Sequence, residues 1–263
     1  MLALAVADAG SAPAVGAPAP LACLARHYAV RPVVRGGAWY GVLPDGRELA
    51  YDDGRKKSFD QALETPDLQD TFFPRYRRGP IQPVTTRNDD PGRVRVDAIF
   101  AATYGSRRED VDVVPITFLA QRVRVHRKVA PAFARVAARL APLVAAQPAL
   151  RAYLVDLGGT FVWRTIAGTT RPSAHSYGVS LDLNPKRSHY WRWQRPPGPP
   201  RWQNQIPQTI VDAFEAEGFI WGGRWYHYDT MHFEYRPELL DPTCYAQPIN
   251  PSGSERTSAP ARD

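Results

Sequence analysis

Two short segments contain side chains that could do chemistry together. The first reads Ser173-Ala174-His175-Ser176-Tyr177-Gly178-Val179-Ser180-Leu181-Asp182-Leu183-Asn184, and the second reads Asp229-Thr230-Met231-His232-Phe233-Glu234-Tyr235. Two histidines and one carboxylate, His175, Asp182 and His232, make a three-ligand set. Such a set leaves a fourth tetrahedral position for water, as in a catalytic zinc site rather than a closed structural one. Asp229 precedes His232 by one tight turn and could take a proton from the same water. Simpler readings stay open. Asp182 could be a buried aspartate bonded to backbone, and Asp229 could be a cap. His27, His126, His189 and His227 read as satisfied core or surface histidines, with His227 the best-placed rival ligand.

The elements that must position these groups are legible in outline. Gly178 lets the chain turn between His175 and a strand over Val179–Leu183. In that strand Val179, Leu181 and Leu183 face one way and Ser180, Asp182 and Asn184 the other, so Asp182 can point into a cleft while the leucines bury. Further short strands are expected at Thr160–Trp163 and His232–Tyr235, and a strand pair within Val111–Val125. Val129–Gln147 carries apolar residues at helical spacing, with Pro142 as a kink. Ile206–Glu217 is a second helix, stopped by Gly218. Upstream, Pro44-Asp45-Gly46 between two apolar runs signals a hairpin over 38–51, and Asp97–Tyr104 a short helix closed by Gly105. The polar, Pro- and Arg-rich stretch 52–91 is expected to wrap the main domain, anchored by Phe72, Phe73 and Tyr76. Residues 194–204 form a Pro-rich loop.

The pattern Ser-x-His-x-x-Gly-x-x-x-Asp at Ser173–Asp182, followed by carboxylate-x-x-His at Asp229–His232, resembles the zinc peptidases of the D-Ala-D-Ala carboxypeptidase and L-Ala-D-Glu endopeptidase family. These are VanY-like enzymes whose fold is shared with the hedgehog signalling domain. The resemblance runs from Gly158 to Leu240 and includes Trp221-Gly222-Gly223-Arg224-Trp225. It implies an α+β fold in which helices pack on a small antiparallel sheet bearing Asp182 and His232. It implies that His175, Asp182 and His232 ligate Zn2+. Asp229 stands where the family most often has a glutamate base, one methylene longer. The family also has an arginine upstream of the first ligand that holds a substrate carbonyl or carboxylate; Arg164 is the first candidate and Arg171 the rival. Ser173, Trp221 and Trp225 are candidates for contact with substrate, with Trp191, Trp193, Tyr226 and Tyr228 as further aromatics that could line a groove; the other reading places half or more of Trp221, Trp225, Tyr226 and Tyr228 in the core and Trp191 and Trp193 in core or interface. Glu234, on the strand face of His232, either orients that histidine or is a plain strand carboxylate.

The activity so implied is zinc-dependent hydrolysis of peptide bonds in bacterial peptidoglycan stem peptides, by trimming a terminal D-Ala or by cutting L-Ala-D-Glu internally. Asp229 and the Trp-Gly-Gly-x-Trp element lean towards the second. The alternative is an inactive zinc-binding module on the same fold that binds cell wall or a protein partner, for which Asp229 would be superfluous. The substrate places the protein outside the bacterial cytoplasm, periplasmic or extracellular, and a monomer is expected.

Composition agrees with this. The 263 residues hold 33 Lys+Arg against 26 Asp+Glu, a net charge of +7, and only four of the basic residues (Lys56, Lys57, Lys128, Lys186) are lysines. No basic stripe or nucleic-acid motif accompanies the charge, so nucleic acid is not expected as a partner; an anionic wall, or solubility alone, accounts for it. No apolar run is long enough for a transmembrane helix. Two cysteines exclude a four-thiolate zinc site. In an exported protein Cys23 and Cys244 could form one long-range bridge; the other reading is two buried thiols. The expected organisation is a leader or signal remnant over 1–22, with only a faint lipoprotein-like Ala22-Cys23, an extension over 23–105, a catalytic domain over 106–246 and a disordered tail over 247–263.

Overall fold

The computed structural model describes residues 16–194 and 198–245. The expectations for the first fifteen residues and for the tail fall outside them. The chain opens with helix α1 (Ala19–His27), whose Leu21 and Leu24 are fully buried. Leu21, within the expected leader, and Cys23, just after it, are both buried in the core. A three-stranded antiparallel sheet follows: β1 (Arg31–Arg35), β2 (Ala38–Val42) and β3 (Glu48–Ala50) in that order. The expected hairpin is β2–β3. Its turn is held by the Arg47 amide donating to Asp45 Oδ1 at 3.0 Å. β1 was not anticipated.

Helix α2 (Phe59–Glu64) starts with a reciprocal capping box between Ser58 and Gln61. Helix α3 (Asp97–Tyr104) ends at Gly105, as expected. β4 (Val113–Phe118) and β5 (Gln121–His126) form the expected pair. They lead into α4 (Ala130–Ala146), which contains Pro142 and buries Phe133, Val136 and Leu140. After a short α5 (Arg151–Leu154), the chain crosses the expected strand at Thr160–Trp163. That segment is an extended loop instead. Isolated bridges flank it, Gly159 with Asp182 before and Thr165 with Pro172 after, and it half-exposes Val162 and Trp163. With one side open to solvent it has no continuous ladder to join.

The site-bearing sheet comprises β6 (Ser180–Asp182), β7 (Phe219–Trp221) and β8 (His232–Tyr235), with β8 in the centre and both neighbours antiparallel. Helix α6 (Gln208–Glu215) packs Phe214 on Phe233 of β8 with centroids 4.0 Å apart, and α4 packs Phe133 on Phe219 of β7 at 4.7 Å. A final α7 (Pro237–Leu240) follows β8. The architecture is mixed helix with small antiparallel sheets, in keeping with an α+β class.

One buried cluster runs from Leu21 to Cys244 and draws on residues before and after position 105. Phe72 and Tyr76 are buried in it, but Phe73 is 63% exposed and anchors nothing. Tyr76 donates to Glu215 at 2.6 Å, and the Trp221 amide donates to Tyr76 at 2.9 Å. Cys23 and Cys244 are joined by a disulfide, with Cα atoms 5.4 Å apart and a sequence separation of 221. On the chain-entropy account a loop of that length contributes about 5 kcal/mol. The double substitution Cys23→Ser, Cys244→Ser is thus expected to lower Tm by about 10 °C, read by calorimetry; an unchanged Tm would show that the bond constrains little.

Candidate active site

The site is built on the register of two strands. Asp182 of β6 is directly opposite His232 of β8, and Ser180 is opposite Glu234. Period-two alternation puts these polar residues on one face, while Leu181 and Phe233 bury on the other. His175 comes from a 3₁₀ turn, Ala174–Tyr177, capped by the Ser173 hydroxyl, which accepts from the His175 amide. Gly178 closes the turn with a left-handed φ of +66°. A Cβ there would lie 2.8 Å from the His126 amide nitrogen, the same amide that donates to the Gly178 carbonyl. The turn is thereby fastened to β5.

The three groups converge. His232 Nδ1 lies 2.9 Å from one oxygen of Asp182, His175 Nε2 lies 3.2 Å from the other, and the two ring nitrogens are 3.3 Å apart. The outer nitrogens have their own partners. His175 Nδ1 is 2.7 Å from the Thr160 carbonyl, which can only accept, so the neutral ring presents a lone pair at Nε2. His232 Nε2 is 3.4 Å from Glu234, which leaves Nδ1 facing Asp182 and His175. Glu234 is in turn held by Arg236 at 3.3 Å. Two lone pairs and a carboxylate turned on one another form a donor set that fits a divalent cation, and these three residues could hold one.

The electrostatics show what a cation would replace. Burial lowers the pKa of His232, but its bonds to Asp182 and Glu234 outweigh that and hold it up at about 10; the proton that balances the carboxylates is the one a divalent cation would displace to take the Nδ1 lone pair. Burial raises Asp182, yet the charge of His175 and the bonds to both histidines keep it well below the usual range. Glu234 is held at about 2 against burial by His232, Arg236 and Arg95. Asp229 differs. Burial, and then the charge of Asp182, push it up to about 6, and its buried Oδ1 has no hydrogen-bond partner among the described residues.

Asp229 is placed by the Trp221–Trp225 element. Its amide donates to the Gly222 carbonyl at 3.0 Å, and a Cβ on Gly222 would lie 2.5 Å from the Asp229 carbonyl oxygen. Only glycine fits this close approach. Trp221 itself is fully buried, donates to the Thr230 carbonyl and packs along Phe233. It supports the floor of the site and does not contact the cleft, which corrects its expected role in the groove. Trp225 does line the cleft.

The cleft has a volume of about 310 Å³ and includes His175, Asp182, Asp229, His232 and Glu234. Arg164 and Arg171 both border it, with different commitments. Arg171 is spent on Asp97 at 3.0 Å and the Arg95 carbonyl at 2.8 Å. Arg164 makes no ion pair among the described residues. Its backbone is pinned by the Ser176 hydroxyl, which accepts from its amide at 2.9 Å and donates to its carbonyl at 2.7 Å. Ser173 borders the cleft too, but its hydroxyl is the cap of the His175 turn. His227, the rival ligand, is bonded to buried Asp90 at 2.6 Å and takes no part in the trio. Ser176, Arg93 and Arg192 escaped the sequence reading; Ser176 alone had a signal, its place within the first motif.

Residues 167–235 match the model of a family described as D-alanyl-D-alanine carboxypeptidase. The resemblance read from the motifs is borne out. The matched segment, about a quarter of the chain, contains His175, Asp182, Asp229, His232 and Glu234. It points to a cell-wall peptidase of a metal-dependent family, and it leaves Arg164 outside. No curated protein and no solved structure matches the chain. Among the described residues no helix is long and apolar enough to cross a membrane.

Proposed function

We propose that this protein is an exported zinc metallopeptidase acting on peptidoglycan stem peptides, with a hedgehog-type catalytic domain and an N-terminal segment wrapped upon it. The observation that carries this reading is the Asp229 carboxylate, whose buried Oδ1 has no hydrogen-bond partner among the described residues, set in the same cleft as a converging His175–Asp182–His232 trio, within the segment that matches the family. A module that only bound zinc would have no use for that carboxylate.

In this reading His175 Nε2, Asp182 and His232 Nδ1 hold the ion. Zinc, when bound, supplies polarisation of the scissile carbonyl and a lowered pKa for water. Asp229 accepts the proton from the attacking water and delivers it to the leaving amine. Burial has raised its pKa, which brings it nearer neutrality: the carboxylate is a stronger base towards the water than an exposed aspartate, and the acid keeps the proton until the amine departs. Arg164, with its guanidinium free, holds a substrate oxygen by charge-assisted hydrogen bonds. Thr160 and Glu234 fix the two imidazoles in the required tautomers. Glu234→Gln is expected to weaken zinc binding by about tenfold or more, in the range usual for a carboxylate that orients a ligand histidine. Competition with a chromophoric chelator measures this; unchanged affinity would make Glu234 a plain strand carboxylate.

The deciding experiment is incubation of purified muropeptides with the zinc-loaded protein, with and without chelator, followed by mass spectrometry. Zinc-dependent cleavage is expected, and the product masses identify the bond, L-Ala-D-Glu being favoured by Asp229 and the Trp-Gly-Gly-x-Trp element. Zinc-loaded protein that leaves every stem peptide intact would establish a binding module instead.

A further inference from the structure

Five arginines border the cleft: Arg93, Arg95, Arg164, Arg171 and Arg192. Two of them are structural. Arg95 is 4% exposed, pairs with Asp97 at 2.7 Å and donates to the Pro172 carbonyl. Arg171 shares Asp97 with it. Arg93 and Arg192, like Arg164, make no ion pair among the described residues. Each is laid over an indole instead, Arg93 on Trp225 at 5.4 Å and Arg192 on Trp191 at 5.1 Å. Stacking fixes the guanidinium plane and leaves its in-plane N–H donors unspent.

These charges are gathered around Tyr190, whose phenol lines the same cleft and whose backbone bridges to Asp229. Burial raises the Tyr190 pKa, while Arg192, Arg93 and Arg164 all pull against it. The acidic groups of the cleft cannot neutralise the arginines. Asp182 is engaged by both histidines and Glu234 by His232 and Arg236, which leaves Asp229 as one carboxylate against the three guanidiniums of Arg93, Arg164 and Arg192. The cleft thus has more positive charge than its own residues can pair, with the donors already oriented.

We propose that Arg93 and Arg192 bind a second free carboxylate of the substrate, separate from the oxygen held by Arg164, so that the preferred substrate is an acidic peptide with at least two ionised carboxyl groups. The inference rests on the peptidase reading and adds a specificity device to it. Arg93 precedes the family-matching segment, so this part of the recognition comes from the N-terminal region. It is brought to the cleft by Asp90 bonding His227, by the Gly92 carbonyl accepting from Arg236 and by the Pro91 carbonyl accepting from Trp225.

The test uses zinc-loaded full-length protein and two synthetic stem-type peptides. They are identical except that the side-chain and α-carboxyl groups away from the scissile bond are free in one and carboxamides in the other. The free-acid peptide is expected to show a kcat/KM about tenfold or more higher, expressed in KM, and added salt should narrow the difference. Arg93→Gln and Arg192→Gln should each shrink the ratio to about threefold or less, and Arg93→Lys should retain part of it. Arg122→Gln, on an exposed strand position outside the cleft, should leave the ratio unchanged. Equal turnover of the two peptides by wild type would overturn the proposal while the peptidase reading stood. If neither peptide is cut, the peptidase reading fails. Calorimetric titration of both peptides then decides the charge recognition: tighter binding of the free acid upholds it, and equal affinity overturns it.

Discussion

Replacing Asp229 with alanine is expected to lower kcat on a stem-peptide substrate by about 10²- to 10⁴-fold, the usual worth of a positioned general base, while zinc stays bound. The separation of the two effects follows from geometry. Asp229 is not one of the three converging residues, and its inner oxygen has no partner among the described residues, so its removal breaks no side-chain hydrogen bond that holds the trio together. Asp229→Asn should behave alike, because an amide cannot accept the proton. The wild-type pH profile should show the same group. Only the ionised form acts as base, so kcat/KM rises with pH and levels off above the Asp229 pKa. Burial and the charge of Asp182 push that pKa up to about 6, and a bound cation draws it down. The acid limb is therefore expected at or below pH 6, and it should vanish in the residual activity of Asp229→Asn. Stopped assays across pH 4–8 measure it. Full kcat in either variant would move the base elsewhere.

The second large effect concerns the trio. His232→Ala or Asp182→Ala is expected to cost more than the 10- to 100-fold in zinc affinity typical of an orienting partner, because each removes a ligand. Zinc should raise the Tm of the wild type, since it binds the folded chain alone, and should raise that of Asp229→Ala as well. It should not raise the Tm of the ligand variants. The two removals also differ. Without Asp182 the carboxyl of Asp229 loses the charge that lifts it, and its pKa falls. Each removal takes a partner from two residues, but without His232 these are the buried carboxylates Asp182 and Glu234, whereas without Asp182 they are two imidazoles that can stay neutral, which makes the loss of His232 the more destabilising change. Differential scanning fluorimetry with and without zinc reads both. Undiminished affinity in both variants would remove them from the ligand set.

What could be read from the residues was the part written in local patterns. Two motifs brought out His175, Asp182, Asp229 and His232, and β8 was bounded correctly because it follows its own alternation. The helices α4 and α6 declared themselves by an apolar face. β7 did not, since Phe219-Ile220-Trp221 is buried on all sides and a three-residue apolar run has no period to detect. Thr160–Trp163 misled in the opposite sense: it has strand-forming residues but no neighbour to pair with on one side. Trp221 and Trp225 look equivalent in Trp-Gly-Gly-Arg-Trp, yet one lies beneath the sheet and the other faces the cleft. Arg93 and Arg192 were hidden for a different reason. In a chain with 29 arginines, only tertiary structure distinguishes a guanidinium already paired with Asp97 from one left without a partner.

The central place of β8 has a consequence for how such a protein can diversify. His232 and Glu234 sit on a strand with hydrogen-bonded neighbours on both sides, and its partner Asp182 is fixed to it by register. A mutation in this floor disturbs ligand and support together. Other residues that line the cleft lie on separate connections, at 92–95, 164–167 and 190–193, where one side chain can change without shifting the sheet. Inheritance can therefore retune which peptide is accepted in small steps while the bond-breaking apparatus stays constant. Lineages that diverge from this chain should differ first at those rims and last along β8.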